Sequence, residues 1–516
     1  MKKRRLVIVD NFAGGGGAST GIEWATGRPV DLAINHDPIA LALHAANHPK
    51  TKHLVEDVFK VDIEAELNGA EIGIAWFSPD CRHFSKAKGG KPVSKKVRGL
   101  AWVVIKYIER VKPRYVFMEN VEEFVTWGPL DKDNKPCPKR KGTTFRRWLA
   151  RFRKNGYTVD YRMITAYKHG VPTLRKRLML VARRDCKPIV WPEETHERAN
   201  HPDVVAGKKQ PWLPTHQIIE WNVPCRSMFN RKVPHAESTR RRVVHGLMKY
   251  VDGAENPFLV HVGEDGVMVP FITEHCNASH QRNFDINEPL RTLCANVKGG
   301  HFAVAGATMI QVGYGERKGQ APRVPGINKP LGTVVAGGAK HALVTYLTKH
   351  FTAKGKQVQA APMDAPAPTI TAVDHTSLTA AYCVSMYGTS NGYDITEPSR
   401  TITAGASKNA LVAAMLKKYS DGAITDGIVH IKGEPYIVTD IQMRMFTPRE
   451  CYRAQGFPDS YQISEVDLHG SKTRLTIEDQ IRLAGNSVCP KLAELIVRAN
   501  APELCRRKKR DTSIRV

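Results

Sequence analysis

The chain has 516 residues, enough for two or three domains, and its apolar content of 42% is ordinary for a globular protein. Its 77 Lys and Arg against 50 Asp and Glu give a net charge of +27, which suits a polyanionic partner such as nucleic acid or, alternatively, a solvated basic surface. The ten cysteines form no C-x-x-C pair or Cys/His cluster, which argues against zinc and against a disulfide scaffold. We therefore expect reduced thiols and a cytoplasmic protein, with no segment of membrane-spanning length.

A glycine-rich turn follows the first predicted strand. Residues 6–9 are apolar and predict that strand, and the turn at residues 10–19 leads into a helix that extends to residue 25. Glycines let a ligand approach the backbone, and a helix N-terminus offers unpaired N–H groups, although such a turn alone is weakly specific. The next two strands end at residues 35–37 and 56–58, where Asn35 occupies the usual place of a ribose-binding acid.

Cys81 lies just beyond the next buried strand, which is predicted at residues 72–77 and ends at a proline. Open α/β sheets bind ligands at the carboxyl ends of their strands, so we expect Cys81 at that edge. Arg82, His83 and several lysines nearby favour the nucleophilic thiolate. The alternative, a buried structural cysteine, is common for a cysteine considered alone.

Two further strand ends supply a carboxylate and a pair of guanidinium groups. After a helix at residues 100–111, a strand at 114–118 brings Glu119 to the edge expected for Cys81, where it is a candidate for acid/base work. A helix and a strand over 144–166 lead to a strand at 178–182, and alternation places Arg175 and Arg177 on one face. This pair suits a polar, planar or anionic target, or equally a solvated strand edge.

The second half of the chain contains an internal repeat. From about residue 187 tryptophan and proline become frequent, and a basic helix is predicted at about 238–250. Four P-x-x-T segments follow, which predict turn-and-strand units and a β-rich module. The glycine-rich loops between them could read base edges, or the repeat could be scaffold. The four copies begin at Pro289, Pro330, Pro366 and Pro398.

Helices return near the C-terminus. Thr447, Pro448 and Glu450 form the pattern of a capping box at the start of a helix. A Gly-Asn-Ser-Val segment at 485–488 then opens an amphipathic helix at 492–499, which could return to the first domain.

Taken in order, these segments resemble the cytosine-C5 DNA methyltransferase family. Residues 12–17 are similar to the family's turn for S-adenosyl-L-methionine (AdoMet), 78–85 to its nucleophile segment and 119–121 to its acid segment. Similarity continues in the arginine pair at 175–177, the support helix at 447–458 and the closing AdoMet segment at 485–488. Six motifs in the family's order make the match specific, whereas residues 200 to 430 match its variable recognition region in position only.

The resemblance implies an α/β fold with a β-rich recognition module. A Rossmann-like AdoMet-dependent methyltransferase domain with a mostly parallel sheet is expected at 1–190, completed by 470–505. A β-rich target-recognition domain containing the four-copy repeat is expected at 191–440, a support helix region at 441–470 and a basic tail at 506–516.

The resemblance also implies a covalent mechanism, in which Cys81 adds to C6 of a flipped-out cytosine and C5 takes a methyl group from AdoMet. Glu119 would hold and protonate N3 and the amine edge, while Arg175 and Arg177 hold the O2 side and the neighbouring backbone. The implied cofactor-binding residues are Phe12, Ala13, Gly14, Gly16, Gly17, Asn35, His36, Asp57, Val58, Pro79, Asn486 and Val488. A basic loop at 86–96 is a candidate lid, and the expected DNA contacts are Arg82, Ser85, Lys86, Lys88 and Lys91.

Three positions depart from the family pattern. Asp80 and Arg82 replace the usual Pro and Gln beside the nucleophile and act on a thiolate in opposite directions. Asn35 replaces the ribose-binding acid, which bears on cofactor affinity and on the identity of the donor. Thr173-Leu174 stands where a Gln usually lies near the arginine pair.

Other functions remain open at this point. An exocyclic-amine methyltransferase uses a segment that residues 78–81 superficially resemble, and an RNA cytosine-C5 methyltransferase shares the catalytic parts. A catalytically silent DNA-binding or AdoMet-binding protein is the alternative from a different class. We expect duplex DNA as partner, no metal, no membrane contact and a monomer, with a cognate restriction endonuclease as a further candidate partner.

Overall fold

A computed structural model describes residues 5–80, 99–131, 135–221 and 434–506, short segments between 223 and 247, and the backbone of the strands between 260 and 431. The chain divides into two compact units. The first consists of residues 1–171, 175–210 and 455–516, and the second of residues 172–174 and 211–454. Within the described part of the chain, no helix combines the length and the apolar character needed to cross a membrane.

The described strands range in length from two to twelve residues. In chain order they are β1 Leu6–Asn11, β2 Leu32–Asn35, β3 Lys52–Val55, β4 Glu71–Phe77, β5 Tyr115–Asn120, β6 Thr158–Thr165, β7 Lys176–Arg183, β8 His196–Glu197, β9 Gln210–Pro211, β10 Arg226–Ser227, β11 Val260–His261, β12 Val267–His275, β13 Asn283–Phe284, β14 His301–Val304, β15 Ile310–Gln311, β16 His341–Ala342, β17 Thr379–Ser385, β18 Tyr393–Asp394, β19 Asn409–Lys418, β20 Ile428–Ile431, β21 Glu434–Met445, β22 Glu465–Leu468 and β23 Ser471–Arg474.

The helices alternate with the strands of the first unit and recur at the end of the chain. They are α1 Gly17–Thr26, α2 Pro38–Asn47, α3 Ile63–Leu67, α4 Trp102–Arg110, α5 Thr143–Lys154, α6 Pro202–Val205, α7 Pro448–Ala454, α8 Ile477–Asn486 and α9 Pro490–Asn500. Short 3-10 turns lie at Glu122–Thr126, Pro138–Arg140, Ala166–His169, Thr215–Ile218 and Pro502–Leu504.

The first unit is built on a mostly parallel sheet with the strand order β3-β2-β1-β4-β5-β7-β6. The pairs β1/β2, β2/β3, β1/β4 and β4/β5 are parallel, whereas β7 runs antiparallel to both of its neighbours. The order reverses at β1, since β2 lies on one side of it and β4 on the other. In such sheets a crevice opens at the carboxyl ends of the strands flanking the reversal, which here are β1 and β4.

Apolar side chains cover both faces of this sheet. One face packs against α4 and α5 through residues that include Ile105, Trp148 and Phe152, and the other against α1 and α9 through Ile22 and Leu492. The contact between α1 and α9 is close because Gly21 has no side chain, and a Cβ there would overlap the Pro490 carbonyl. The terminal helix α9 therefore packs within the first unit.

The second unit contains a sheet in which the described strands β10–β14 and β17–β21 pair mostly antiparallel. The four P-x-x-T copies lie outside the described residues, so the repeat stays a prediction. At the start of α7 the predicted capping box is confirmed, since Thr447 Oγ1 accepts from Glu450 N at 3.2 Å and Glu450 Oε2 accepts from Thr447 N at 2.7 Å. The buried Glu450 carboxylate also binds both terminal nitrogens of Arg444, at 3.0 and 2.7 Å.

Candidate functional site

The glycine turn begins with a residue in an unusual backbone conformation. Phe12 has φ of 59°, in the left-handed region that non-glycine residues rarely adopt, and Gly16 has φ of 97° immediately before α1. Ala13 N donates to Ile34 O at 3.0 Å, which ties the turn to the end of β2. The half-buried Phe12 packs against the core below the turn. Such strained residues cluster where a ligand is held, which supports the predicted role of this turn.

The glycines of this turn have different surroundings. At Gly14 a Cβ would meet no atom of the described residues within 4 Å. At Gly17 it would overlap the Val488 carbonyl and the Ser487 hydroxyl, and at Gly16 the Tyr461 hydroxyl. Gly16 and Gly17 thus allow other parts of the protein to pack closely, whereas Gly14 leaves a space that a bound molecule can fill. The turn therefore fits a nucleoside-type cofactor.

The ends of β2 and β3 border this turn. Asn35 Nδ2 donates to Ala13 O at 2.7 Å, and Asn35 Oδ1 accepts from Asp37 N at 3.0 Å, so this side chain braces the turn. Asp57 Oδ1 accepts from Phe59 N at 3.0 Å, and Val58 is buried. His36 is exposed. The predicted contacts of these residues with the cofactor stay predictions.

Glu119 lies near the end of β5 between two guanidinium groups. Its Oε1 is 2.9 Å from Arg177 Nε and 3.4 Å from Arg175 Nη2, and all three residues are more than nine-tenths buried. Arg175 Nη1 also donates to Gly485 O at 2.9 Å, at the end of α8. The predicted orientation of both arginines toward one side is confirmed. A charge-assisted cluster of this kind fixes the position of the carboxylate.

The C-terminal segment, residues 484–489, packs against this cluster. Gln455 Nε2 donates to Ala484 O at 3.1 Å, and the Cys489 thiol donates to Gln455 Oε1 at 3.1 Å. Burial raises the pKa of Cys489 to about 11, although Arg175 and Arg177 oppose this shift, so the thiol stays protonated. Cys489 is therefore a structural cysteine rather than a nucleophile.

Asn120 connects β5 with the segment that precedes Cys81. Its Nδ2 donates to Pro79 O at 3.1 Å, and Asn120 is almost fully buried. Ser78 N donates to Asn11 O at 3.2 Å, so the ends of β1, β4 and β5 meet at one edge. Pro79 thus lies at the edge that carries Glu119. Cys81, Arg82, Ser85 and the lysines of the predicted lid lie outside the described residues.

A chain of hydrogen bonds below the turn has no counterpart among the sequence predictions. Ser19 Oγ donates to Asp10 Oδ2 at 2.8 Å, His44 Nε2 lies 2.9 Å from Ser19 Oγ, and His44 Nδ1 lies 2.8 Å from His53 Nε2. When Asp10 is ionised, the Ser19 hydroxyl gives its one proton to Asp10, so His44 Nε2 then carries a proton and Nδ1 accepts from His53.

Burial dominates the protonation of this chain. It raises the pKa of Asp10 to about 7 and lowers that of His44 well below its usual range, with His48 and His53 adding to the second shift. Asp10 Oδ1 is buried without a hydrogen-bond partner among the described residues. No group of three or more His, Cys, Asp or Glu side chains suited to a metal occurs in the described part of the chain.

Comparison with known proteins identifies relatives. A family model described as "C-5 cytosine-specific DNA methylase" matches residues 6–243 and 344–500, which is well over half of the chain. The chain is 30% identical to the type II methyltransferase M.XorII of Xanthomonas oryzae pv. oryzae over 199 residues, covering 37% of this chain and 44% of that protein. It is 26% identical to M1.HphI of Haemophilus parahaemolyticus over 200 residues, covering 38% and 50% respectively.

These matches are partial. The chain spans about half the length of the curated relatives it matches. Among solved structures, a Spodoptera frugiperda DNMT2 mutant is 12% identical in sequence to this chain. The alignment covers 96% of this chain and 99% of that chain, and its TM-score of 0.42 indicates low structural similarity.

Proposed function

Because this chain belongs to the C-5 cytosine-specific DNA methylase family, we propose that it transfers a methyl group from AdoMet to C5 of cytosine in duplex DNA. The observation that carries the proposal is the position of Glu119. It is held by two arginines at the sheet edge where Asn120 binds the Pro79 carbonyl, two residues before Cys81. A fixed carboxylate beside a cysteine-bearing segment suits covalent activation of a pyrimidine.

The proposed reaction overcomes the weak nucleophilicity of C5. The Cys81 thiolate forms a bond to C6 while N3 gains a proton from Glu119, and electron density rises at C5. When bound, AdoMet supplies an electrophilic methyl group, which C5 accepts. Loss of the C5 proton to a base, return of the N3 proton to Glu119 and departure of the Cys81 thiolate then restore the neutral ring. Arg175 and Arg177 keep the Glu119 side chain in place and border the O2 side of the ring.

The residues proposed to hold AdoMet surround the end of β1. AdoMet would contact Phe12, Gly14 and the first turn of α1 on the side that faces the protein backbone. Its adenine would lie beside Asp57 and Val58. Asn486 and Val488 would complete the site from the C-terminal segment. Asn35 would act indirectly, since its amide holds the Ala13 carbonyl. A neutral side chain at this place gives a ribose hydroxyl a weaker partner than a carboxylate does.

The cytosine must leave the duplex before Cys81 can reach C6. Residues 86–96 are proposed to close over the flipped nucleotide, with Arg82, Ser85, Lys86, Lys88 and Lys91 contacting DNA. A cognate restriction endonuclease and a monomeric state stay predictions.

Covalent trapping tests the proposal. A duplex containing 5-fluorocytosine and an excess of AdoMet should give a stable adduct, because fluorine at C5 cannot leave as a proton. The adduct should be lost in Cys81→Ser. It should persist in the matched control Cys186→Ser, which removes an exposed thiol elsewhere.

Three outcomes would count against the proposal. Undiminished adduct in Cys81→Ser would exclude this nucleophile. Methylation of DNA at an amino group, with no adduct, would indicate an exocyclic-amine enzyme, and modification of RNA alone would exclude a DNA substrate.

A further inference from the structure

The strongest concentration of charge outside the candidate site lies between β5 and β6. Residues 135–159 contain nine Lys or Arg and no Asp or Glu. Eight of these cations are exposed and have no ion pair within the described part of the chain: Lys135 and seven at residues 139–154. The seven are Lys139, Arg140, Lys141, Arg146, Arg147, Arg153 and Lys154, which we name the α5 basic face. The ninth cation, Arg151, pairs with Glu109.

Helix α5 presents four of these cations, Arg146, Arg147, Arg153 and Lys154, on its outer side because its inner side is buried. Phe145, Trp148, Leu149 and Phe152 pack into the core against the sheet. Residues seven apart return to nearly the same side of a helix after two turns, so Arg146 aligns with Arg153 and Arg147 with Lys154. The two rows extend over roughly 10 Å at 1.5 Å per residue. Duplex DNA carries about six negative charges over that length.

The segment that precedes α5 is held rigidly. Gly142 N donates to Thr126 O at 3.1 Å and Cys137 N donates to Pro129 O at 3.1 Å. A Cβ at Gly128 would overlap the Arg140 carbonyl, so this glycine permits close packing of the Pro138–Arg140 turn. Residues 139–141 therefore hold fixed backbone positions, and binding there needs little ordering of the chain.

The α5 basic face begins at the edge of the sheet that carries Glu119. Phe145 N donates to Trp127 O at 3.0 Å, so the first turn of α5 is attached to the segment that follows β5 at its carboxyl end. From there α5 extends back across the face of the sheet, away from that edge. A duplex reaching this edge can thus continue along the cations of α5.

We propose that the α5 basic face binds the phosphate backbone of duplex DNA outside the target base pair. This inference rests on the proposed function in taking DNA as the partner, and it adds a second, sequence-independent surface. Phosphate contacts of this kind position a protein on the duplex without reading bases.

Salt dependence of DNA binding tests this surface. The variant Arg146→Gln/Arg147→Gln/Arg153→Gln/Lys154→Gln removes four cations and keeps good helix formers. The matched control Lys50→Gln/Lys187→Gln/Lys208→Gln/Lys472→Gln removes four exposed cations elsewhere in the first unit. Affinity of the full chain for a fluorescent 40-bp random-sequence duplex is measured by anisotropy between 50 and 200 mM salt.

The α5 variant should show a log-log salt slope shallower by up to about 3.6, since each phosphate contact contributes about 0.9. The control should change by less than about 1, and Ala150→Lys, on the exposed side of α5, should steepen the slope by about 0.9. Melting temperatures confirm that each variant is folded.

Equal slopes in wild type and the α5 variant would overturn the inference. An equal decrease of the slope in the control would also overturn it, because net charge alone would then explain the effect. So would an α5 variant that binds DNA like wild type but binds anionic phospholipid vesicles more weakly. The slopes do not require turnover. If the variants change the salt slope of DNA binding as predicted but wild type transfers no methyl group, the proposed function fails and this inference stands.

Discussion

Replacing Gly14 with alanine separates ligand binding by the glycine turn from the packing role of its neighbours. The new methyl group meets no described atom within 4 Å, and φ at Gly14 is outside the left-handed region. The folded state therefore accommodates it, and reduced freedom of the unfolded chain stabilises the variant by up to about 1 kcal/mol. A bound AdoMet would occupy the same space. We expect AdoMet to bind about 10-fold to 100-fold more weakly, equivalent to about 1.4–2.8 kcal/mol.

Gly17→Ala is the matched comparison, since it changes the same turn by the same atoms. Its methyl group would overlap the Val488 carbonyl and the Ser487 hydroxyl, so α1 and the C-terminal segment must move apart. Overpacking of this kind costs about 1–3 kcal/mol in the free energy of unfolding. Gly17→Ala should therefore lower the melting temperature without ligand, whereas Gly14→Ala should not.

Calorimetric titration with AdoMet and thermal unfolding without it measure the two effects. The reasoning is refuted if Gly14→Ala, with a melting temperature no lower than that of wild type, binds AdoMet as tightly as wild type does. In that case the open space at Gly14 does not face the cofactor.

Three further substitutions test the interior of the protein. Glu119→Gln should leave the fold intact, because an amide oxygen can still accept from Arg177, and should slow methyl transfer to DNA by about 10²–10⁴; a normal rate would exclude acid catalysis there. Because folding raises the pKa of Asp10, its protonated carboxyl contributes fully to the free energy of unfolding below pH about 4. This contribution is lost as the pH rises through about 7. Asp10→Asn should thus gain about 2–3 kcal/mol of unfolding free energy relative to wild type between about pH 5 and pH 8 in urea titrations, and a constant difference would contradict this. Glu450→Ala should cost about 3–5 kcal/mol by leaving the buried charge of Arg444 without the Glu450 carboxylate, as a double-mutant cycle with Arg444→Ala can show.

Local patterns in the sequence were sufficient for most elements of the first unit. The strand predicted at residues 72–77 is found at Glu71–Phe77, and the helix predicted at 100–111 is found at Trp102–Arg110. Buried parallel strands are continuous apolar runs bounded by turn residues, so their positions are visible without tertiary information. The capping box at Thr447 was equally accessible because its two partners are three residues apart.

Contacts between distant segments were not accessible in this way. His44 and His53 are separated from Asp10 by 34 and 43 residues, and no periodicity marks a chain of hydrogen bonds that crosses four elements. Likewise, Arg175 and Gly485 are 310 residues apart in the sequence. The family resemblance assigned the segments of Arg175 and Gly485 to one site, but only the folded structure shows that the Arg175 guanidinium binds the Gly485 carbonyl.

The geometry explains why the C-terminal segment is needed for a site whose main parts are near the N-terminus. Gly17 and Gly21 lie four residues apart on one side of α1, and each contacts backbone of residues 488–490 directly. The same segment of the chain supplies the carbonyl of Gly485 to Arg175, which in turn contacts Glu119. A displacement of α8 and α9 would thus change both the turn proposed for AdoMet and the carboxylate proposed for cytosine. We therefore expect the two halves of the proposed reaction to be coupled through this segment, because backbone that moves away from the turn also moves the carbonyl that Arg175 binds.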